Sequence, residues 1–307
     1  MGREAVETNY SHVLQAEVGR IPQPGVLLRT VHAIYHAQFG RWFGIMAPTS
    51  LLAGLVLVLA AQQIKAINST IPRGEVLFHK GDIAVMGAVR YGSFFLCWFL
   101  GCFALAAIAT AVNDLDRGEE AESWERDSYQ RAREHFGAII ASALITFSAF
   151  LVGMFAMGFL ELAAYRIVGW SHFSKYNYPV TVIGMVVVAT FVSWLGASIP
   201  LILKGNTRVR TALKKSVELS NGYEGALFLL VVESVAGSMT VWYTVVHGLP
   251  LFLPQHLIYT AWYGWLLNAV GVLAASTIDA PLFIGLSLLA DPERLNASSL
   301  AASGLTA

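Results

Sequence analysis

Six long runs almost empty of charge set the terms for everything else in this chain: Trp42–Ile64, Tyr91–Val112, Phe136–Leu160, Tyr178–Leu203, Ala226–His247 and Tyr259–Leu289. Each reaches the roughly 20 residues that an α-helix, rising 1.5 Å per residue, needs to cross a bilayer's hydrocarbon core. Charged residues make up 13% of the sequence and the mean hydropathy is +0.58, against about 25% charged in soluble domains. The expected fold is an all-α integral membrane protein with six transmembrane helices.

Residues 1–25 contain Glu4, Glu7 and Glu17 and no apolar stretch, unlike a secretory signal peptide. This N-terminal segment is expected to remain, with the first span acting as the insertion signal. Basic residues between spans set the orientation. With the N-terminus inside, the inner segments hold 14 Lys/Arg and the outer loops 6, which places both termini in the cytoplasm. Trp170, Phe173, Tyr176 and Tyr178, then Tyr259, Trp262, Tyr263 and Trp265, fall near the outer boundary, where aromatic belts form. Twenty basic residues balance twenty acidic ones, so charge gives no reason to expect a nucleic-acid partner. Cys97 and Cys102, about 8 Å apart along one helix, are too distant for an intrahelical disulfide and read as apolar packing residues.

The chain also carries a pattern of polar-to-apolar boundaries. Gly25–Gly40, with Leu27, Val31, Ile34, Tyr35 and Phe39 at helical spacing, precedes the first span; Ser128–Gly137 precedes the third and Ser216–Gly225 the fifth. Gly40, Gly137 and Gly225 stand 97 and 88 residues apart. The expected organisation is three units, 26–112, 119–203 and 207–290, each a cytoplasmic amphipathic helix followed by a two-span hairpin. A tail, 291–307, follows. Pro281 removes a backbone donor within the last run and marks a break or kink there.

Three of these pieces resemble the six-helix membrane domain that accompanies some bacterial glycerophosphodiester phosphodiesterases, together with its stand-alone relatives. They are Gly25–Gly40, Thr211–Gly222 and the exit from Pro281 through Arg294. The resemblance implies the six-helix fold and a bacterial cytoplasmic membrane. It does not bring the enzyme's activity, because no segment among these 307 residues is long and polar enough to be the phosphodiesterase domain.

Glu233 and Asp279 lie within the fifth and sixth runs, roughly 12 and 16 Å from the inner side at 1.5 Å per residue. An acid near mid-membrane costs about 2.5–3.5 kcal/mol on insertion scales, so both are candidates for an intramembrane polar site, and adjacent antiparallel helices could bring them together. They would serve a proton or cation site if functional, or hold helices together if structural. His32 and His36, four apart, lack the third ligand and the glutamate of a metalloprotease helix and read as interfacial polar residues, as does His247. The segment Asn113–His135, with Asp114-Leu-Asp116, reads as a solvated loop running into an amphipathic helix. Arg208, Arg210, Lys214 and Lys215 are candidate contacts for anionic lipid. Asn68-Ser-Thr70 is a glycosylation sequon on the outer side.

No phosphate loop, dinucleotide fingerprint, nucleophile elbow, zinc-protease motif or Cys-x-x-Cys occurs. The expectation is a non-enzymatic membrane protein that organises lipid or a membrane complex, with no cofactor and no metal. Its expected partners are membrane lipid and a second copy of the chain or a larger complex. Gly271 and Ala275 supply a small-residue stripe for close packing. The competing class is a small transporter or ion pathway using Glu233 and Asp279.

Overall fold

A computed structural model describes residues 24–70, 80–115, 124–168, 170–205, 207–252, 261–292 and 295. No strand occurs among them. The helices are α1 (Pro24–Ala37), α2 (Phe39–Thr70), α3 (Lys80–Asp114), α4 (Trp124–Glu134), α5 (Phe136–Val168), α6 (Trp170–Gly196), α7 (Ser198–Gly205), α8 (Val209–Ser220), α9 (Glu224–Tyr243), α10 (Ala261–Thr277) and α11 (Ala280–Leu289). Six stretches are long and apolar enough to cross a membrane: 39–67 and 84–114, 136–160 and 183–205, 224–252 and 266–289. The protein is an all-α membrane protein.

The long helices close into a ring. α2 packs on α3, α3 on α5, α5 on α6, α6 on α9, α9 on α10, and α10 returns to α2. Within each consecutive pair the second span is the more buried, about half of its apolar window or more, against a third or less for the first. The first spans thus present their apolar surface outward, where lipid tails take the place of protein.

Two of the second spans are interrupted, each one turn before a proline, although Pro48 in α2 and Pro179 in α6 are accommodated without a break. Proline has no N–H and its ring crowds the carbonyl four residues back. α6 ends at Gly196, four residues before Pro200, and α10 ends at Thr277, four before Pro281. The short helices α7 and α11 that follow are buried along most of their length and pack on α3 inside the ring. α3 contains no proline and runs unbroken.

The three helices that precede the first, third and fifth spans each bury one face. α1 buries Leu27, Thr30 and Val31, α4 buries Ser128 and Ala132, and α8 buries Ala212, Ser216 and Ser220. α4 packs on α3 and α2, α8 on α7 and α6, and α1 on α11 and α9. The N-terminal helix therefore covers the C-terminal pair of spans. Side chains fasten these caps: Tyr129 donates its hydroxyl to the Ile45 carbonyl, Ser216 to the Trp194 carbonyl at 2.5 Å, and the Trp42 indole to the Ile34 carbonyl at 3.2 Å. The turn from α8 into α9 holds Gly222 at φ +89°, a left-handed conformation that glycine adopts without steric cost.

At the offsets of 97 and 88 residues, burial repeats position by position. Trp42, Ile45, Met46 and Thr49 on α2 correspond to Ile139, Ser142, Ala143 and Thr146 on α5 and to Leu227, Leu230, Val231 and Ser234 on α9; all twelve are buried. The i, i+3, i+4, i+7 spacing is one helical face.

Candidate functional site

The ring holds a half-open cavity of about 810 Å³ lined by α3, α5, α6 and α9 and by residues of α7 and α11. Its walls are mainly apolar and aromatic, including Phe94, Trp98, Phe147, Phe150 and Phe283. Trp98 is held by its indole N–H, which donates to Thr146 Oγ1 at 3.0 Å, and its ring lies 5.1 Å from that of Phe150. Arg90 stands at one end of the cavity and Asp279 near the other. Counting along α3 and α11 at 1.5 Å per residue separates them by about 20 Å in depth.

Asp279 occupies the joint between α10 and α11. Ser234 donates to its Oδ1 at 2.5 Å, and Ser238 lies 2.9 Å from the same oxygen and 2.9 Å from the Ala275 carbonyl. These serines are one turn apart on α9, so a single face of that helix meets the acid. Both serine hydroxyls fall on Oδ1. No described residue hydrogen-bonds Oδ2.

Glu233 precedes Ser234 by one residue and so points about 100° away around α9. Its carboxylate meets His32 Nε2 at 3.0 and 3.2 Å. His32 Nδ1 donates to the Leu28 carbonyl at 2.8 Å within α1. Burial, and then the negative charge of Glu233, hold the Tyr35 phenol above its usual range. The sequence expectation that the two acids share one site meets a different arrangement: Glu233 fastens α1 to α9, and Asp279 faces the cavity. His32, read from sequence as a solvated polar-face residue, is Glu233's partner, while His36 is exposed.

The remaining candidates divide plainly. Arg208, Arg210, Lys214 and Lys215 are all exposed along the outer face of α8. Lys214 lies 3.8 Å from Glu218 one turn on, and Lys204, just before this group, pairs with Asp291 at 2.7 Å. Asp114, expected in a solvated loop, is instead buried at the end of α3 and bound by both oxygens to Arg131 Nη1 at 2.9 and 2.7 Å; Asp116 lies outside the described residues. Gly271 and Ala275 pack within the chain: a Cβ at 271 would come within 3.0 Å of the Trp242 ring, and the Ala275 carbonyl faces Ser238. The His247 ring lies tilted at 42° against that of Tyr243, with ring centres 4.5 Å apart. Among the boundary aromatics Tyr263 is buried, and the side chains of the other seven lie outside the described residues. Cys97 and Cys102 are free and line the cavity. Among the described residues, no three His, Cys, Asp or Glu side chains gather as a metal site would need.

No protein-family model, curated protein or solved structure matches the chain. Its geometry is therefore the ground on which its function has to be placed.

Proposed function

We propose that this chain is a non-enzymatic integral membrane protein of a bacterial cytoplasmic membrane, one that binds and organises lipid-like amphiphiles. In this reading the six spans form three repeated hairpin units, with α1, α4 and α8 lying as amphipathic helices on the cytoplasmic side and both termini there. The observation that carries it is the half-open cavity of about 810 Å³, mainly apolar along its walls, with Arg90 and Asp279 as its charged groups. Ligand cavities run about 300–1,000 Å³, mostly apolar with a few placed polar groups. The exposed basic residues of α8 would draw anionic headgroups to the surface beside it.

Native mass spectrometry of the protein released from nanodiscs tests this. A Cβ added at Gly101, which lines the cavity, meets nothing within 4 Å, and Gly101→Phe is expected to occupy part of that space. Wild type is expected to retain an amphiphile that Gly101→Phe loses. The same bound lipids in both proteins would count against the cavity as the binding place.

A second reading, a small transporter, draws on one feature: the interrupted helices α6–α7 and α10–α11 meet at the cavity, as discontinuous helices do at transporter sites. It assigns the pathway to Asp279 rather than to Glu233, whose carboxylate faces His32. Reconstituted Asp279→Asn would then lose a cation-coupled flux that Glu233→Gln retains.

A further inference from the structure

We infer that the cavity is selective for organic cations: molecules with an apolar or aromatic body and a single fixed positive charge that comes to rest against Asp279. This deepens the amphiphile-binding reading and rests on it.

The asymmetry of the Asp279 carboxylate is the starting point. Its Oδ1 takes the serine hydroxyls from α9, at 2.5 and 2.9 Å, while Oδ2 receives no hydrogen bond from any described residue. Oδ2 is not among the fully enclosed polar atoms that lack a partner, and Asp279 lines the cavity, so this oxygen is open to it. A carboxylate has acceptor capacity on both oxygens, and leaving one unpaired away from bulk water is costly. A ligand that brings positive charge there repairs the deficit through a charge-assisted contact.

The walls argue for an organic rather than an inorganic ion. Ca²⁺ collects six to eight oxygen ligands and Mg²⁺ six, whereas the cavity lining offers one carboxylate and a few hydroxyls amid hydrocarbon. The volume also far exceeds that of a bare ion. Trp98, Phe147, Phe150 and Phe283 supply rings whose faces attract cations, most strongly where water is excluded. Anions are disfavoured at the Asp279 end by like charge. The cavity's basic residue, Arg90, lies about 20 Å away in depth and is exposed.

Tetraphenylphosphonium and tetraphenylborate make a matched pair of probes, alike in size and apolar surface and opposite in charge. Binding of each to the full chain in nanodiscs is measured as the excess over protein-free nanodiscs. Wild type is expected to bind the phosphonium saturably and about ten- to hundredfold more tightly than the borate, the scale of attraction between two unit charges held a phenyl ring's width apart in a partly dry site. Asp279→Asn, which keeps an acceptor for the two serines, is expected to bring the two probes to parity, and Asp279→Glu to restore part of the preference. Gly101→Phe is expected to weaken phosphonium binding with Asp279 still in place, so the placement is tested even if the Asp279 variants fail to fold.

Equal affinities in wild type, or tighter borate binding, would overturn the charge selectivity and leave an apolar ligand cavity standing. A phosphonium preference that survives both Asp279→Asn and Gly101→Phe would overturn the placement. If neither probe binds wild type the inference also fails, and the mass-spectrometric comparison of retained amphiphiles then decides the broader reading separately.

Discussion

At His32 the Nδ1–H is committed to the Leu28 carbonyl at 2.8 Å, so the other ring nitrogen cannot donate unless the ring carries both protons. Its contact with Glu233 at 3.0 Å therefore takes one of two forms: imidazolium against carboxylate, or a neutral ring accepting from a carboxylic acid. Either form ties α1 to α9, and either is lost when one partner goes. His32→Gln and Glu233→Gln should each lower the thermal unfolding temperature, and the double variant should be less destabilised than the sum. Both side chains are close to two-fifths exposed, 38% and 39%, so the coupling belongs near the surface range, about 0.5–1 kcal/mol. Additive effects in that cycle would mean that the contact contributes nothing to stability. Sequence alone singled out Glu233 because a charge in an apolar run is conspicuous. It missed His32 because the two lie 201 positions apart, and nothing in local spacing links a surface helix to a span so distant. Asp279 was conspicuous for the same reason, but its partners Ser234 and Ser238 were not, since serines in spans usually bond to their own helix.

At the scale of the helices, what was legible was whatever one segment dictates by itself. Six spans follow from run length, and the break in the last follows from Pro281. The matching break at Gly196–Ala197 was hidden inside an uninterrupted apolar run, although Pro200 stands four residues beyond it. Which helices approach closely depends on tertiary placement, and there the sequence offered only Gly271 and Ala275. The closest approach to a neighbouring helix's backbone lies elsewhere: a Cβ at Gly54 on α2 would come within 3.1 Å of the Ala269 Cα on α10. The neighbour is backbone, which cannot rotate aside as a side chain can. Gly54→Leu is therefore expected to part α2 from α10 and to cost about 1–3 kcal/mol, the usual penalty of overpacking. Gly101→Ala, whose Cβ meets open space, serves as the control and should leave unfolding almost unchanged. If Gly54→Leu melts with wild type in nanodiscs, the α2–α10 seam is looser than these contacts require.

Over the whole molecule, each surface helix caps a hairpin, and the one belonging to the last hairpin comes from the other end of the chain. α4 and α8 follow the spans they cover, while α1 precedes all six and covers α9 and α11. The buried positions that coincide on α2, α5 and α9 give each of these spans a buried face in the same register. One departure from that similarity bears on the cavity. Thr49, Thr146 and Ser234 are equivalent and buried; Thr49 and Thr146 bond to carbonyls of their own helices, and Ser234 bonds to Asp279. The acid that lines the cavity is thus carried by the last pair of spans alone. The α8 cap is the most basic at its outward face, with Arg208, Arg210, Lys214 and Lys215 exposed. Juxtamembrane basic residues attract anionic lipid by about 1 kcal/mol each, and salt screens that attraction. In nanodiscs of mixed zwitterionic and anionic lipid, wild type should retain anionic lipid preferentially, and changing all four residues to Glu should abolish the preference while leaving retention by the cavity intact. Adding salt should imitate the substitution in wild type and do little to the variant. A preference that persists at high salt and in the fourfold variant would relocate the lipid contact from the α8 surface to the interior, leaving the four charges as determinants of orientation alone. Orientation has its own readout: reporters fused at each terminus should both be active in the cytoplasm of a bacterial host, and reversed activity at either end would exclude the arrangement in which α8 meets the inner leaflet.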